Sequence, residues 1–418
     1  MSTLNLPAPE ILAIAVADTL AVASDPQARH ASIFYWERGR AQALAVVKAV
    51  AALNAPAIQQ MVTELLEHPE DPGIYFDLKT HLLPLAQSVG TGVQENATEA
   101  LFAAAWQSEC ISRLGYHLGS AYEPAAGCAV LSQALRALPP GISLPEELPA
   151  PILIVIPFRD RNAGAPRLRN LLACLLSLRD QSAPRASYRV VVVESDDEPR
   201  CRDIVAPWTD RYLFAPKAGL FNKSWAINVG VIDDAGAAEL ICILDADVLV
   251  DRDFVARNVA RFQKPGAMGH LTYRDMWNLD EASTSSAIKQ RIRHRAAEVD
   301  PDALRAFVLR RPPGACVWVR LSSFHAIGGM DERFEGWGGE DNDFVYRLDM
   351  HSAFDSYNDP LLHMYHPPTA ALRDDGELLN AHIPGLSWQP GEKIGDLLRF
   401  AATKVQAPHE CLLTNVHP

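Results

Sequence analysis

The apolar and polar positions divide the chain into two textures. Up to about residue 148, apolar residues recur at helical spacing. This holds for residues 15–23 (AVADTLAVA), 40–53 (RAQALAVVKAVAAL), 57–68 (AIQQMVTELLEH), 97–119 (ATEALFAAAWQSECISRLGYHLG) and 127–138 (GCAVLSQALRAL). Short breaks such as HPEDPG (68–73) separate them. The pattern predicts an all-α N-terminal domain over residues 1–148. Residues 138–151 then carry five prolines, a linker signature that marks the expected domain boundary.

Beyond the linker the apolar runs become short and continuous, as in strands buried on both faces. They are ILIVIP (152–157), RVVVVESDD (189–197), RYLFAP (211–216) and LICILDADVLV (240–250). Helical stretches at 166–181 and 221–236 alternate with them. Strand–helix alternation predicts an α/β domain over 149–418. It should be a Rossmann-like, mostly parallel sheet with flanking helices, with 371–418 as a C-terminal extension. In such sheets ligands sit beyond the carboxyl ends of the strands, so FRDR, ESDD and DAD are expected to meet in one cleft.

Charge narrows the range of partners. The chain has 418 residues and a formal net charge of −13, which argues against a nucleic-acid backbone as the main partner. A bound polyanion would need local Arg, Lys or a metal. Seven cysteines with no CxxC spacing fit reduced thiols. The early apolar run at 11–23 is too short to span a bilayer and contains Asp18. Together these features suggest a bacterial, cytoplasmic protein with no transmembrane segment.

Four segments offer chemistry. LDADV (244–248) places Asp245 and Asp247, with Ala246 between them, at a strand end, where carboxylates can share a hard divalent cation with phosphate oxygens. IPFRDR (156–161) places Pro157, Phe158, Arg159 and Arg161 at another strand end; an aromatic ring and two guanidiniums suit base stacking and phosphate pairing. FNKSWAINVG (221–230) sets Asn222 and Lys223 at a helix start, an anion site or an ordinary cap. FEGWGGEDND (334–343) joins Trp337, Gly338 and a cluster of acids. Capping by Asp341 or Asn342 would explain one acid. A carboxylate that takes a proton from a hydroxyl would explain the rest, with Trp337 offering a flat face to a sugar ring. HMYH (363–366) could add a metal ligand. In a strand, residues three apart face opposite sides, so at most one of His363 and His366 should reach the cleft, and His366 beside two prolines is the better placed.

IPFRDR, FNKSWAINVG, LDADV and RLSSFHAIGGMDERFEGWGGEDNDFVYRL, in chain order, resemble the β-1,4-galactosyltransferase family and the related glycosyltransferase domains of bacterial chondroitin-type capsule polymerases. The resemblance covers about 151–370. It implies a GT-A fold and inverting transfer of a sugar (Gal, GalNAc, GlcNAc or GlcA type) from a UDP-sugar to an acceptor hydroxyl, with Mn²⁺ or Mg²⁺. It assigns Asp341, with Glu340 beside it, as catalytic base. Pro157, Phe158, Arg159, Arg161, Glu194, Lys223, Asp245 and Ala246 fall on the nucleotide. Asp247 and His366 fall on the metal, and Trp337 and Gly338 on the sugar. The family pattern leaves His363 and His366 open as the third ligand. The acceptor could be a glycan, a peptide or a small molecule, and the helical domain a homo-oligomer contact. A degenerate GT-A domain that only binds nucleotide or glycan is the rival expectation. His382 and Trp388 in the extension are expected to pack.

Overall fold

The computed structural model describes residues 7–89, 96–124, 150–161, 166–367, 373, 377–389 and 391–400. The expected helix at 127–138 and most of the proline-rich linker lie outside these residues.

Twelve strands among the described residues form two sheets. In chain order they are β1 (Leu114–Leu118), β2 (Ile152–Phe158), β3 (Tyr188–Glu194), β4 (Arg211–Phe214), β5 (Leu240–Leu244), β6 (Val248–Leu249), β7 (Gly269–Leu271), β8 (Asp275–Leu279), β9 (Arg305–Arg310), β10 (Cys316–Arg320), β11 (Phe354–Ser356) and β12 (Leu361–His363). A seven-stranded sheet forms the centre, in the order β11-β7-β10-β5-β2-β3-β4. β5, β2, β3 and β4 run parallel. Every residue of β2, β3 and β5 is buried, which is why these strands read as unbroken apolar runs. On the far side β10 pairs antiparallel with β5, followed by β7 and β11. The helix Lys223–Asp234 packs on β2 and β3, which places its N-terminus at the carboxyl ends of the strands.

The second sheet, in the order β1-β9-β8-β12-β6, was not anticipated. Its strands are short, and β8 and β12 are only partly buried, so they give little periodic signal.

The N-terminal region is helical, with helices Pro9–Ser24, Pro26–Ala31, Ile33–Ala51, Pro56–Glu67, Pro72–Ser88 and Asn96–Ile111. Four of these begin with proline, and Asp25, Ser32 and Asp71 cap three of them. One expectation fails. The helix thought to run to 119 stops at Ile111, and residues 114–118 form β1, paired antiparallel with β9. The alternation of Leu114, Tyr116 and Leu118 carries the strand period and was hidden behind the helix. The helical core, built on Leu12, Val16, Leu20, Leu65, Leu78 and Phe102, therefore continues into Phe307 and Leu309 of β9. Arg305, 3% exposed, ties the two halves: it pairs with Asp25 of the helical region and, at 2.9 Å, with Asp280. The five cysteines among the described residues are free thiols. No helix among the described residues is long and apolar enough to cross a membrane.

Inside the helical core, Asp18 accepts a hydrogen bond from Tyr75 Oη at 2.5 Å. Burial pushes its carboxyl up to about 7, against the pull of that bond. An acid whose folded-state pKa exceeds its unfolded value binds more protons when folded. Stability is therefore lost as pH rises from about 3.8 through about 7. Urea unfolding of Asp18→Asn should lack this slope. Between pH 4 and pH 8 the wild type should lose on the order of a few kcal/mol relative to the variant. Parallel pH profiles for the two would refute this.

Candidate active site

β5 ends at Leu244, and Asp245, Ala246 and Asp247 form the turn into β6. This turn takes the chain from the seven-stranded sheet to the five-stranded one. Asp245 N–H donates to the Ala315 carbonyl at 2.8 Å, which fixes the turn against β10. β6 pairs antiparallel with β12, so that His363 lies opposite Val248, and Met364 N–H donates to the Asp247 carbonyl at 2.8 Å. His363 Nε2 then stands 3.3 Å from Asp247 Oδ1, and His366 Nε2 stands 3.1 Å from Asp247 Oδ2. The expectation that at most one histidine reaches the cleft is therefore corrected. β12 stops at His363, and the strand alternation does not extend to residue 366.

These residues fit a divalent cation. One donor atom from each of Asp247, His363 and His366 can lie within 4.8 Å of the others. Asp247 Oδ1 is buried and makes no hydrogen bond, because His363 is near enough but misaligned for one. His366 Nδ1 lies 2.9 Å from the Pro367 carbonyl; as donor there, it leaves Nε2 free to ligate. Burial pushes His363 down to about 4, so it is neutral at pH 7, the form that binds metal. Burial would raise Asp247, but the two histidines outweigh it and hold the carboxyl below the usual range. Since His363 is neutral near pH 7, His366 is the stronger partner there. Its own pKa is raised, as contact with Asp247 outweighs burial.

The segment carrying the histidines is held from behind. Asn170, fully buried in the helix Pro166–Arg179, donates through Nδ2 to the carbonyls of Met364 and Tyr365 at 3.3 and 3.0 Å. Arg169 donates to the Tyr365 carbonyl at 3.0 Å and bridges to Glu281. Thr284 Oγ1 accepts from Tyr365 N–H at 2.8 Å. Sequence reasoning missed all three. The available signal was an Arg-Asn pair inside an otherwise apolar helix.

Lys223 is the electrostatic centre on the other side of the Asp-x-Asp turn. Asn222 caps its helix, with Oδ1 accepting from Trp225 N–H at 2.8 Å. Lys223 Nζ lies 2.8 Å from Asp245 Oδ1 and 3.1 Å from both oxygens of Asp341. Burial would lower Lys223, but Asp245, Asp341 and Glu340 raise it well above its ordinary value. Burial pushes Asp245 up to about 6, against the pull of Lys223. Burial and then Asp341 push Glu340 up to about 7.

Glu340 opens the helix Glu340–His351, whose N-cap is Gly339 at φ 100° with no side-chain cap bond. Capping by Asp341 or Asn342 is thus not what the structure uses. Asp341 sits in the first turn and packs on the backbone at Gly314, where a Cβ would stand 2.1 Å from Asp341 Oδ2. Only glycine permits that approach. Asp343 serves the structure instead, since it pairs with Arg347 at 2.7 Å and accepts from Leu386 N–H at 3.1 Å. Trp337, 43% exposed, stands out between its glycines. Gly338 N–H donates to Glu340 Oε2 at 3.1 Å, and Asn380 of the C-terminal extension donates to the Gly338 carbonyl at 2.8 Å. Trp388 packs as expected, 4% exposed and donating to the Gly328 carbonyl at 2.7 Å, whereas His382 is exposed.

The remaining expected residues divide. Arg159 and Arg161 converge on Asp196 Oδ1 at 2.9 and 3.1 Å, and the half-exposed Arg161 also donates to the Gly219 carbonyl at 3.2 Å. Pro157 and Phe158 are buried at the end of β2, so Phe158, 3% exposed, offers no ring face to a base. Ala246 packs against the main core. Glu194 is fully buried and accepts from Cys201 N–H at 3.1 Å and from Tyr212 Oη, so its carboxylate is occupied internally.

Comparison with known proteins places this geometry. Residues 153–328 match glycosyl transferase family 2, and residues 311–359 match the family described as the N-terminal domain of galactosyltransferase. The chain carries a galactosyltransferase-like GT-A domain. Curated relatives include validoxylamine A glucosyltransferase from Streptomyces hygroscopicus subsp. limoneus, 28% identical over 47% of this chain and 48% of that protein. Its counterpart from subsp. jinggangensis is 27% identical over 47% of this chain and 51% of that one. The chain thus spans about half the length of the curated relatives it matches. Among solved structures, a mannosyltransferase from Pyrobaculum calidifontis in complex with GDP-Man and Mn²⁺ overlaps 56% of this chain and 63% of its own, at 14% identity and a TM-score of 0.36. The catalytic domain of Drosophila β1,4-galactosyltransferase 7 overlaps 56% and 82%, at 18% identity and a TM-score of 0.33. Overlaps this loose carry no argument about substrate.

If this site takes Mn²⁺ and Asn170 holds the histidine segment in place, Asn170→Ala should weaken Mn²⁺ binding by about tenfold. Calorimetric titration of Mn²⁺ into the full chain reads this directly. Unchanged affinity would mean that the segment keeps its position without Asn170.

Proposed function

We propose that the chain is an inverting, metal-dependent glycosyltransferase that moves a sugar from a UDP-sugar to an acceptor hydroxyl. The observation that carries this reading is the pairing of two half-sites at one strand end. Asp247, His363 and His366 bring together donor atoms that could hold a cation, and Lys223 links Asp245 to the glycine-flanked Asp341.

Asp247, His363 and His366 would hold Mn²⁺ or Mg²⁺, which would offset the negative charge of the diphosphate as it leaves. Arg161, half-exposed and near the end of β2, supplies a guanidinium on the nucleotide side. Asp341 takes the proton from the acceptor hydroxyl. The acceptor oxygen forms its bond to the anomeric carbon as the bond from that carbon to the diphosphate oxygen breaks. The leaving UDP keeps the electron pair. Attack from the opposite face inverts the configuration, so an α-linked donor yields a β-linked product. Lys223 steadies Asp341 and Asp245 before substrate arrives, and its ammonium adds positive charge beside the leaving group. Trp337, exposed and flanked by glycines, would offer its ring face to an acceptor sugar.

The rival reading is a domain that binds nucleotide sugar without turning it over. UDP release from a panel of UDP-sugars with Mn²⁺ separates the two. Asp341→Asn should lower release about 10²- to 10⁴-fold while UDP still binds. Asp247→Ala should abolish Mn²⁺-dependent UDP binding. Wild-type protein that binds UDP with Mn²⁺ yet releases none from any donor, with sugar acceptors present, would establish the binding module.

A further inference from the structure

One arginine beside the histidine segment has no place in the reading so far. Arg167 stands in the first turn of the helix Pro166–Arg179, ahead of Arg169 and Asn170. Half-buried, it donates through Nη2 to the Pro367 carbonyl at 3.2 Å. His366 Nδ1 lies 2.9 Å from the same oxygen. A guanidinium and an imidazole thus meet on one acceptor, which sets the positive charge of Arg167 beside the candidate metal ligands. Burial is the largest influence on the titration of Asp247, His363 and His366. Each also feels Arg167, which favours the ionised form of the acid and the neutral form of both histidines.

A guanidinium fixed beside a cation site opposes metal binding unless an anion joins them. A divalent cation on one carboxylate and two neutral histidines already leaves positive charge in excess, and Arg167 adds to it. The other side of the Asp-x-Asp turn has the opposite balance. There Asp245, Asp341 and Glu340 share the ammonium of Lys223. A diphosphate set among those carboxylates would be repelled, whereas one set against the cation and Arg167 neutralises both. The family resemblance assigns Arg159 and Arg161 to the nucleotide, yet both are held on Asp196, which meets part of their charge.

We propose that Arg167 binds the diphosphate of the donor, its guanidinium taking a phosphate oxygen beside the cation held by Asp247, His363 and His366. This rests on the UDP-sugar reading above and gives the donor an orientation. The leaving diphosphate lies on the histidine side of the turn and Asp341 on the Lys223 side, with the anomeric carbon between them. Displacement from the opposite face requires that alignment. The Pro367 carbonyl restrains the guanidinium before the donor arrives, so less freedom is lost on binding.

Calorimetry on the full chain tests this with two probes, Mn²⁺ alone and UDP at saturating Mn²⁺. Arg167→Met removes the charge and keeps much of the apolar stem. In that variant UDP should bind about tenfold to a hundredfold more weakly. Mn²⁺ alone should bind as well as in the wild type or a few-fold better, because a repelling charge is gone. Arg167→Lys keeps the charge but loses the fork, and its UDP affinity should fall between the two. A purely structural role, in which Arg167 only holds the end of the histidine segment, would weaken both probes together. The assignment is overturned by a UDP affinity within about twofold of wild type in Arg167→Met, or by a parallel loss of Mn²⁺ affinity. Failure of the wild type itself to bind UDP with Mn²⁺ would remove the donor reading and this assignment with it.

Discussion

Three carboxylates meet at the end of one sheet, and a single ammonium lets them do so. Asp245 comes from the turn after β5, and Glu340 and Asp341 come from the first turn of a helix much later in the chain. Brought together in a largely buried cleft, they would repel one another strongly. Lys223 answers two of them by direct contact, and the helix N-terminus favours the negative charge of the other end. What remains is met by protons, since Glu340 is lifted to about 7 and Asp245 to about 6. The position of Lys223 in turn rests on Asn222, whose side chain caps the helix and also donates to the Glu332 carbonyl at 2.7 Å. Glu332 then accepts from Asn228 at 2.9 Å and from Gly395 N–H at 2.6 Å. The C-terminal extension is thereby part of the same network.

The helical region is joined to the sheets by more than a connecting segment. β1 extends the five-stranded sheet, the helical core includes side chains of β9, and Arg305 is shared between Asp25 and Asp280. Breaking a buried charge cluster by removing one partner is costly. The helices therefore form one wall of the molecule and help set the path of β9.

The sequence revealed most where burial was complete. β2, β3 and β5 were legible because strands buried on both faces must be apolar throughout, and the polar residues after them marked the cleft. The second sheet was not legible, because its strands are short and partly exposed. β1 was masked by the helix before it. Asp245, Asp247, Lys223 and Asp341 stand where their motifs put them, because each motif is tied to an element end. That Phe158 and Glu194 face inward was not visible. A residue at a strand end can face core or cleft, and only the packing decides. The histidines were misjudged for a related reason: strand alternation was extended past the point where pairing stops. Asn170 left only the trace of a polar pair inside an apolar helix, and Thr284 left none, because both act on backbone carbonyl and amide groups that have no letter in the sequence.

The turn Asp245–Asp247 is also where the chain crosses from one sheet to the other. Its partner strand, β12, reaches it from near the far end of the described chain. A cation held by Asp247, His363 and His366 would act as a rivet through that crossing, fastening both sheets and the late segment at one point. Anything that binds only the assembled form stabilises it by mass action. Occupancy of the site would therefore report that the chain had finished folding, and a protein caught before residues 361–366 dock would be unable to begin its chemistry.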